Sequence, residues 1–490
     1  MMTMEEVRNL AAGGAYKRVP ISRELYADRK TPIEVLRILR KVSNHCYLLE
    51  SVEDSKQWGR YTFLGYDPTL ELTCKDGQMK ITGPDGVKQF AVKHPGTVIR
   101  QVMKDYRSPK VEGMPTFTGG LVGYFSYDYI KYGEPSLKLE GQDEEAFNDV
   151  DLMLFDKVVA FDNFRQKIVL IANVDAGRLE EDYGRAETEL KEMERLIRTG
   201  EPAPERRLKL TSEFRSLFTK EQYCRMVERG KEYIREGDIF QVVLSNRMEA
   251  DMEGSLLDAY RVLRTTNPSP YMFYFTSDDI EIAGASPETL VKLVDGKLFT
   301  FPLAGTRPRG KTEAEDLALE KELLADEKER AEHSMLVDLG RNDIGKISQI
   351  GSVKVETYMN IERYSHVMHI ASTVSGQIRD DLDGLDAVDS ILPAGTLSGA
   401  PKIRACQIIH ELEQNKRGIY GGAIGYLDFS GNLDVCIAIR SAFSKNGKVF
   451  VRSGAGIVAD SVPENEYQEC LNKARAVLNA LGIAQKGEEL

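Results

Sequence analysis

The sequence predicts an α+β fold, an α/β sandwich in which large mixed or antiparallel sheets are flanked by helices. Short apolar runs typical of strands occur at 152–162 and 167–175, and further runs follow residue 238. Three or four long helical patterns lie between these later runs, without a strict strand–helix alternation. Because doubly wound sheets and barrels require that alternation, the pattern favours the sandwich.

The segment 198–207 is expected to link two domains. Its sequence, RTGEPAPERR, contains one glycine and two prolines and follows a charged helical pattern. The 490 residues are enough to bury more than one core. We therefore expect an N-terminal domain at 1–200 and a C-terminal domain at 201–490.

Composition limits the partners and the location that we expect. The net charge is −12 and no basic cluster stands out, so nucleic acid is not an expected partner. No uncharged apolar run reaches the roughly 18 residues of a membrane span, and the N-terminus lacks the pattern of a signal peptide. The six cysteines are scattered without a CxxC pair, which indicates reduced thiols rather than disulfides or zinc. These features predict a cytoplasmic protein that binds small molecules or another protein.

The pattern at 312–343 predicts one long amphipathic helix. Its apolar stripe is expected to contain Leu324, Ala331, Met335 and Leu339. Glu329 and Glu332 are three residues apart and therefore face the same side of the helix.

A second helix is predicted at 461–482, near the C-terminus. Ser461 and Glu464 resemble a capping box, Pro463 suits the first turn, and Gly482 marks the end. The expected apolar stripe contains Tyr467, Cys470, Leu471, Ala474, Leu478 and Leu481. Three further residues lie together beside it: Glu466, Glu469 and Lys473.

The carboxylates of these two helices allow two interpretations. They could be ordinary solvated faces, in which Glu469 and Lys473 form an i,i+4 pair. Alternatively, the pairs could converge on Mg²⁺, which takes one or two carboxylates and leaves its other positions to water and an anionic substrate. Spacing alone does not decide between them.

Two glycine-rich segments could bind anions. SGAGIV (453–458) follows a strand and is expected to bend, so that its backbone N–H groups form a carboxylate nest or an ordinary tight turn. LPAGTLSGAPK (392–402) is a loop of small residues in which Thr396 and Ser398 can donate hydrogen bonds. Neither segment matches a nucleotide-binding motif.

Three further side chains are candidates for a chemical role because of the sequence pattern around them. Tyr420 and Arg440 are expected on adjacent strands, where an inward-facing arginine requires either a substrate carboxylate or an internal glutamate. His369 lies in an apolar strand pattern, where it could be a general acid or base or a satisfied core residue. His366 is in the same segment, and spacing does not choose between the two histidines.

Ten motifs occur in order along the chain: LLES (48–51), NPSPYMF (267–273), AGTRPRG (304–310), AEHSMLVDLGRNDIG (331–345), YSHVMHIASTVSG (364–376), LPAGTLSGAPK, YGGAIGY, CIAIRSA, SGAGIVADSVPENEYQE and NKARAVLNAL. Together they resemble the chorismate-utilising enzymes over essentially the whole chain. The resemblance is greatest to the family of anthranilate synthase large (aminase) subunits, component I.

This resemblance implies the chorismate-binding-enzyme fold and an Mg²⁺-dependent conversion of chorismate and ammonia to anthranilate and pyruvate, the first committed step of tryptophan biosynthesis. It implies Glu332 and Glu469 as Mg²⁺ ligands, with Glu329 and Glu466 beside them. His369 matches the catalytic histidine of the family, where a positioned acid is required. The base of the elimination step is not assigned. Other implied site residues are Gly305, Thr306, Thr396, Tyr420, Arg440, Gly454, Ala455, Gly456 and Lys473.

Two positions indicate which nucleophile attacks chorismate. Ala304, in FPLAGTRPRG, matches a nucleophilic lysine of aminodeoxychorismate synthase, and Gln241 matches the lysine that activates water in isochorismate and salicylate synthases. Because neither side chain can perform these roles, the resemblance implies direct attack by ammonia. Arg307 and Arg309 are expected to shape the loop without touching the substrate.

The resemblance also implies regulation and a partner. LLES and NPSPYMF resemble the site of tryptophan feedback inhibition, with the contacts Glu50, Ser51, Pro270, Tyr271 and Met272. No cysteine lies in a GxCxG-type elbow, so a separate glutamine amidotransferase subunit is expected to supply ammonia within a hetero-oligomer. The alternatives are component I of aminodeoxychorismate synthase, in the folate branch, and a non-catalytic tryptophan sensor with the same fold.

Overall fold

The computed structural model describes residues 2–51, 59–363 and 367–487. The helices are α1 (Met4–Ala11), α2 (Pro32–Val42), α3 (Pro95–Lys104), α4 (Ile130–Gly133), α5 (Leu179–Thr199), α6 (Lys220–Glu236), α7 (Leu257–Thr266), α8 (Glu313–Ala325), α9 (Glu327–Gly345), α10 (Gly384–Ile391), α11 (Lys402–Glu413) and α12 (Pro463–Lys486). The strands are β1 (Arg18–Tyr26), β2 (Cys46–Glu50), β3 (Tyr61–Tyr66), β4 (Leu70–Lys75), β5 (Gln78–Gly83), β6 (Gly86–Ala91), β7 (Gly120–Phe125), β8 (Val150–Phe155), β9 (Lys157–Asp162), β10 (Lys167–Asp175), β11 (Lys209–Leu210), β12 (Arg215–Ser216), β13 (Gln241–Glu253), β14 (Tyr271–Thr276), β15 (Ile280–Ser286), β16 (Thr289–Val294), β17 (Lys297–Thr300), β18 (Leu303–Pro308), β19 (Lys354–Arg363), β20 (Val367–Gln377), β21 (Gly399–Ala400), β22 (Ala423–Asp428), β23 (Leu433–Ile437), β24 (Ser441–Lys445) and β25 (Lys448–Ile457).

These strands form two large antiparallel sheets. Within the described residues, the first sheet has 13 strands in the order β1-β10-β9-β3-β2-β14-β15-β24-β25-β13-β11, and β12 and β21 also pair with β13. The second has 12 strands in the order β18-β20-β17-β16-β23-β22-β7-β8-β4-β5-β6, and β19 pairs with β20. The predicted α+β sandwich, with antiparallel sheets flanked by helices, is confirmed.

The main core lies between the two sheets, where aromatic side chains from both pack together. Tyr47 of the first sheet contacts Phe155 of the second edge to face, with the ring centroids 4.7 Å apart. Phe63 and Tyr426 form a similar pair at 6.1 Å. A second apolar layer lies on the outer face of the first sheet, under α2, α5, α7 and α12. Because helices cover that outer face, a strand such as β10 is apolar and buried on both sides.

Both sheets contain strands from either side of residue 200. In the first sheet β2 pairs with β14, which places Glu50 opposite Met272. In the second sheet β7 pairs with β22, which places Gly123 opposite Gly425. Residues 200–208 between α5 and β11 are irregular, whereas residues 198 and 199 of the predicted linker belong to α5. The division into domains at residue 200 stays a prediction.

Two predictions from composition can be compared with the structure. No helix in the ranges given above combines the length and the apolar character that a membrane span requires. All six cysteines fall within those ranges and are free thiols, and five of them are buried. The prediction of reduced thiols instead of a disulfide framework is confirmed.

The prediction of a single helix at 312–343 is wrong, because the helix is interrupted between α8 and α9. Asp326 ends α8 and begins α9, where its carboxylate accepts hydrogen bonds from the backbone N–H groups of Lys328 and Glu329. Arg307 donates a further hydrogen bond to Asp326, at 3.0 Å. The predicted apolar stripe is also wrong, since Ala331 is exposed. The residues that α9 buries are His333, Leu336, Val337, Asp343 and Ile344.

The C-terminal helix differs from its prediction at both ends. Pro463 occupies the first turn as expected, but Val462 is the N-cap and no side chain caps the helix, so the predicted capping box is absent from α12. The helix continues through Gly482 to Lys486 and ends at Gly487, which adopts the left-handed conformation with φ +66°. Cys470, Ala474 and Leu481 of the predicted stripe are buried as expected.

The predicted bend at 453–458 is wrong, because residues 453–457 belong to β25. There Gly454 is opposite Ser245 and Gly456 is opposite Val243 in a regular antiparallel pairing with β13. The placement of Tyr420 and Arg440 on strands is also wrong. Tyr420 lies in a turn before β22, and Arg440 lies in a bend between β23 and β24.

Candidate active site

Helix α12 brings its predicted site residues to the end of β25, against which it packs. The ammonium group of Lys473 lies 2.7 Å from Glu469 Oε1, so the predicted i,i+4 pair is formed. The backbone carbonyl of Lys473 accepts a hydrogen bond of 3.2 Å from Arg440 Nη1. A turn of α12 and the bend that carries Arg440 are therefore in direct contact.

The carboxylates of α9 and α12 share one electrostatic environment. Partial burial raises the pKa of Glu332, and the negative charges of Glu329 and Glu469 raise it further. Burial also raises the pKa of Glu466, with a contribution from Glu469. Lys328 and Lys473 act in the opposite direction on both groups. The charges of the two helices therefore act on each other, although Glu332 and Glu469 are themselves exposed.

This set of side chains fits Mg²⁺ in its chemistry. The donors are carboxylate oxygens from two helices, which a hard cation prefers, and bound positive charge would relieve the repulsion between Glu332 and Glu329. Among the described residues, no three acidic, histidine or cysteine side chains approach closely enough to hold a metal by themselves.

Tyr420 and the glycines of β25 form a second wall. A Cβ atom on Gly454 would lie 3.1 Å from Tyr420 Oη and 2.6 Å from the carbonyl oxygen of Leu244, so only glycine fits there. A Cβ atom on Gly456 would lie 2.7 Å from Gln241 Nε2. Tyr420 and Gln241 are thus placed along the same face of β25, where the glycines leave room next to the backbone.

Ala455, between these glycines, points to the other side of the strand. It is fully buried and packs with the residues that face α6 and α11. Only its backbone can therefore contribute to the wall that Tyr420 and the glycines form.

Arg440 is held in an unusual conformation beside this wall. Its φ of +53° lies in the left-handed region, which is uncommon for a residue with a side chain and is typical of functional sites. Burial lowers the pKa of Arg440, whereas the neighbouring Tyr420 and Glu469 raise it. In the described part of the chain, Arg440 forms no ion pair with a carboxylate. The internal Arg–Glu bridge that the sequence left open is not formed.

His369, on β20, is hydrogen-bonded to the neighbouring strand β18. Its Nδ1 donates a hydrogen bond of 3.0 Å to the carbonyl oxygen of Gly305, and the hydroxyl of Thr306 is 3.1 Å from the same nitrogen. Burial lowers the pKa of His369, and the positive charge of Arg440 lowers it further. His369 is therefore neutral near pH 7, with its proton on Nδ1. His366 lies outside the described residues.

Much of the segment FPLAGTRPRG forms strand β18, which pairs with β20. Ala304 is opposite Ile370 on β20, and a bulge follows before Thr306 pairs with His369. Gly305 lies in this bulge with φ +65°, which favours glycine. Both arginines of this segment form ion pairs within the protein. Arg307 pairs with Glu322, Asp326 and the proposed site residue Glu329, and Arg309 pairs with Asp316.

Thr396 leads to a residue that the sequence did not single out, Glu288. The hydroxyl of Thr396 donates a hydrogen bond of 2.8 Å to Glu288 Oε1. Burial raises the pKa of Glu288 to about 7, although Thr396 and the charge of Lys473 both lower it. A carboxyl group of this kind can donate a proton near neutral pH. The sequence feature that could have pointed to Glu288 is its position in SPETL, where a glutamate lies between two buried strands and has no basic neighbour in the sequence.

The residues predicted to bind tryptophan lie at the joint between β2 and β14. Glu50 and Met272 are opposite each other, and Pro270, Tyr271 and Ser51 are next to them in the chain. The carboxylate of Glu50 is buried and accepts hydrogen bonds from Arg264 (2.6 and 3.0 Å) and from the hydroxyl of Tyr260 (2.6 Å).

Tyr271 points between the sheets, away from that carboxylate. Its hydroxyl donates a hydrogen bond of 2.8 Å to Asp434 Oδ1 and accepts one of 3.0 Å from Thr289. An apolar wall beside Glu50 therefore comes from the buried side chain of Met272 and from Pro270. The tryptophan site stays a prediction.

The chain matches the family described as chorismate binding enzyme over residues 44–479. It is 47% identical to anthranilate synthase component 1 of Pseudomonas aeruginosa, with 100% of both chains covered. It is 46% identical to the protein of the same name from Acetivibrio thermocellus, with 99% of both covered. The chain belongs to the chorismate-binding enzymes, in the anthranilate synthase component 1 family.

Solved structures of the chorismate-binding enzymes agree with this assignment. The crystal structure of anthranilate synthase component I from Streptococcus pneumoniae is 38% identical, with a TM-score of 0.77, and covers 87% of this chain and 93% of its own. The menaquinone-specific isochorismate synthase of Escherichia coli has a TM-score of 0.70 at 20% identity, which shows the shared fold alone. The predicted family is confirmed, and the chain is an enzyme of that family.

Proposed function

We propose that the enzyme converts chorismate and ammonia to anthranilate and pyruvate, as the first committed step of tryptophan biosynthesis. The observation that favours this reaction over those of sister enzymes is the pair of positions without a nucleophile. Ala304 is on β18, the strand that pairs with the His369 strand β20, and Gln241 is beside Gly456. Neither can form a covalent bond to the ring or activate water, so ammonia has to attack the ring itself.

Cationic and polar groups of the site suit the two carboxylates of chorismate. Arg440 offers a guanidinium without a carboxylate partner among the described residues, and Lys473 is next to it. Tyr420 and the backbone of Gly454–Gly456 can hold the second carboxylate. Such groups fix the position of the ring relative to the incoming ammonia.

Proton transfer is assigned to Glu288 and His369. Attack by ammonia requires that the ring hydroxyl leaves as water, and the protonated carboxyl of Glu288 can supply that proton. Neutral His369 keeps its Nδ1 proton on the carbonyl of Gly305, so its basic nitrogen is Nε2. A base in this form can remove the ring proton when pyruvate is eliminated. This replaces the acid role that the sequence suggested for His369.

Mg²⁺, when bound by Glu332 and Glu469, would supply positive charge that neutralises a carboxylate of the substrate. Glu329 and Glu466 would orient these ligands or the water beside them. The ammonium group of Lys473 already contacts Glu469, so it can adjust the charge at that position.

We further propose that a glutamine amidotransferase subunit supplies the ammonia and that tryptophan inhibits the enzyme. The naming of the relatives as component 1 supports a partner subunit. For tryptophan, the buried carboxylate of Glu50 could share its partner Arg264 with an amino-acid ligand. Because α7, which carries Arg264, packs on α12, a ligand there can affect the helix that carries Glu469. The free thiols agree with a cytoplasmic location.

The test is to mix the purified chain with chorismate, MgCl2 and an excess of an ammonium salt at about pH 7.5, where part of Glu288 is still protonated, with and without tryptophan. Fluorescence and mass spectrometry identify the product. Anthranilate and pyruvate, in amounts that tryptophan reduces, support the proposal. Aminodeoxychorismate would show that Ala304 does not determine the reaction. Absence of turnover would refute the proposed reaction and favour a tryptophan sensor.

A further inference from the structure

A buried arginine lies directly behind the proposed substrate site. The side chain of Arg417 is 1% exposed, and its guanidinium forms a two-point ion pair with Glu413, with distances of 2.9 and 2.5 Å. Both side chains are buried, and neither has a role in the proposed reaction. Burying such a pair is unfavourable unless every donor is used, so its contacts identify what it does.

The remaining donors of Arg417 hold two separate walls of the site. Nη1 donates a hydrogen bond of 2.6 Å to the carbonyl of Leu397, the residue that follows Thr396. Nη2 donates one of 2.7 Å to the carbonyl of Val243, which is opposite Gly456 in the pairing of β13 and β25. One planar group thus sets the distance between the Thr396 loop and the glycine strand.

The same guanidinium also lies against the ring of Tyr420. It is 4.6 Å from the ring centroid of Tyr127 and 5.9 Å from that of Tyr420, so both rings pack around the cation. Tyr420 is the residue whose hydroxyl limits the space at Gly454. A displacement of Arg417 would therefore move Tyr420 relative to β25.

Glu413 extends this arrangement to the middle of the glycine strand. Besides Arg417, its Oε1 accepts hydrogen bonds from the backbone N–H of Ser245 (2.7 Å) and from the Ser245 hydroxyl (3.0 Å). Ser245 is opposite Gly454. The pair therefore fixes β13 at two positions, next to each of the two glycines.

We propose that Arg417, held by Glu413, is a positioning residue that sets the spacing of the Thr396 loop, Tyr420 and Gly454–Gly456 for the substrate carboxylates. This inference rests on the proposed function, whose substrate it concerns. Lysine cannot replace the arginine here, because a single ammonium group cannot donate to Glu413, Leu397 and Val243 in the directions that the guanidinium uses.

The test compares Arg417→Lys with the matched control Arg247→Lys. Arg247 is also buried, at 3% exposure, and lies on β13. Its partners Glu144, Glu145 and Glu249 are not part of the site, and within the described residues its ion pairs link it to Glu413 only through Glu145 and Arg452. Both variants remove a buried guanidinium, so both should lower the melting temperature. Only Arg417→Lys should change the substrate site.

We expect Arg417→Lys to raise the KM for chorismate at least tenfold while the KM for ammonium changes less than twofold. Arg247→Lys should leave both values within twofold of the wild type. The affinity for chorismate without ammonia, measured by calorimetry, should fall in parallel with the rise in KM. A purely structural role of Arg417 would instead lower the active fraction and leave both KM values unchanged, which would overturn the proposal.

Two measurements keep the outcomes separate. If wild-type enzyme binds chorismate but forms no anthranilate, the proposed reaction fails, and the calorimetric comparison of the variants still tests the positioning role. If Arg417→Lys does not fold, Glu413→Gln provides the comparison. We expect it to weaken chorismate binding at least threefold, because it removes the charge that holds Arg417. Unchanged binding in a folded Glu413→Gln variant would contradict the inference.

Discussion

Replacing Glu288 by glutamine should inactivate the enzyme and at the same time stabilise it at alkaline pH. The carboxyl of Glu288 has its pKa raised from 4.5 to about 7 by burial. Between these values the folded state binds more protons than the unfolded state, so stability falls as the pH rises. Above pH 7 the folded enzyme contains an ionised, buried carboxylate, which destabilises it. Glutamine has nearly the same shape, still accepts a hydrogen bond from Thr396, and carries no charge.

The size of this effect follows from the two pKa values. At 1.36 kcal/mol for each pH unit, the ionisation of Glu288 lowers the free energy of unfolding by about 2.5 kcal/mol between pH 5 and pH 8. The stability of the Glu288→Gln variant, relative to the wild type, should therefore increase by about 2.5 kcal/mol over that range. As a missing general acid, the same substitution should lower kcat at least about 100-fold.

The assay is unfolding by urea, followed by circular dichroism at pH 5 and pH 8, together with turnover of chorismate. Glu112→Gln is the control, since Glu112 is exposed in a loop and the substitution should affect neither stability nor turnover. A stability difference between Glu288→Gln and the wild type that is the same at both pH values would refute the reasoning. It would mean that the carboxyl is solvated in the folded enzyme.

Three further substitutions test other parts of the site. Glu332→Gln removes a proposed Mg²⁺ ligand and should lower kcat/KM at least about 100-fold, and an unchanged response to added MgCl2 would contradict this. Thr396→Val removes the hydrogen bond that lowers the pKa of Glu288. The alkaline limb of the pH profile of kcat should then move to higher pH, when ammonia is saturating. In Gly454→Ala the new Cβ would lie 3.1 Å from Tyr420 Oη, so we expect the KM for chorismate to rise about tenfold; steady-state kinetics with normal values would show that the wall can adjust.

The fold was predictable because its signals are local. Apolar runs such as 167–175 predict strands from the local sequence alone. The order of the family motifs predicts the remaining architecture. The break at Asp326 was missed for a physical reason, since the apolar spacing continues across it. The carboxylate of Asp326 caps the start of α9 and is held by Arg307, and the apolar periodicity shows neither contact.

The chemistry of the site was less predictable, because it depends on contacts between distant segments. Glu288 is a possible acid only through its burial and its hydrogen bond to Thr396, which is 108 residues away in the sequence. Arg417 lies three residues before the tyrosine that begins the YGGAIGY motif, and its role depends on carbonyl groups of β13 and of the Thr396 loop. By contrast, the pairing of Glu469 with Lys473 follows from helical spacing and was expected.

Both sheets combine strands from the first and the last parts of the chain. Neither sheet can therefore be completed until late in the synthesis of the protein. Gly123 of strand β7 pairs with Gly425, which is synthesised about 300 residues later. Strand β7 cannot complete its pairing before then. At about 5–20 residues per second, β7 has an unpaired edge for roughly 15–60 s while the ribosome continues. We therefore expect the nascent chain to depend on chaperones, and truncation near residue 200 to leave two fragments with open apolar sheet edges that aggregate when produced separately.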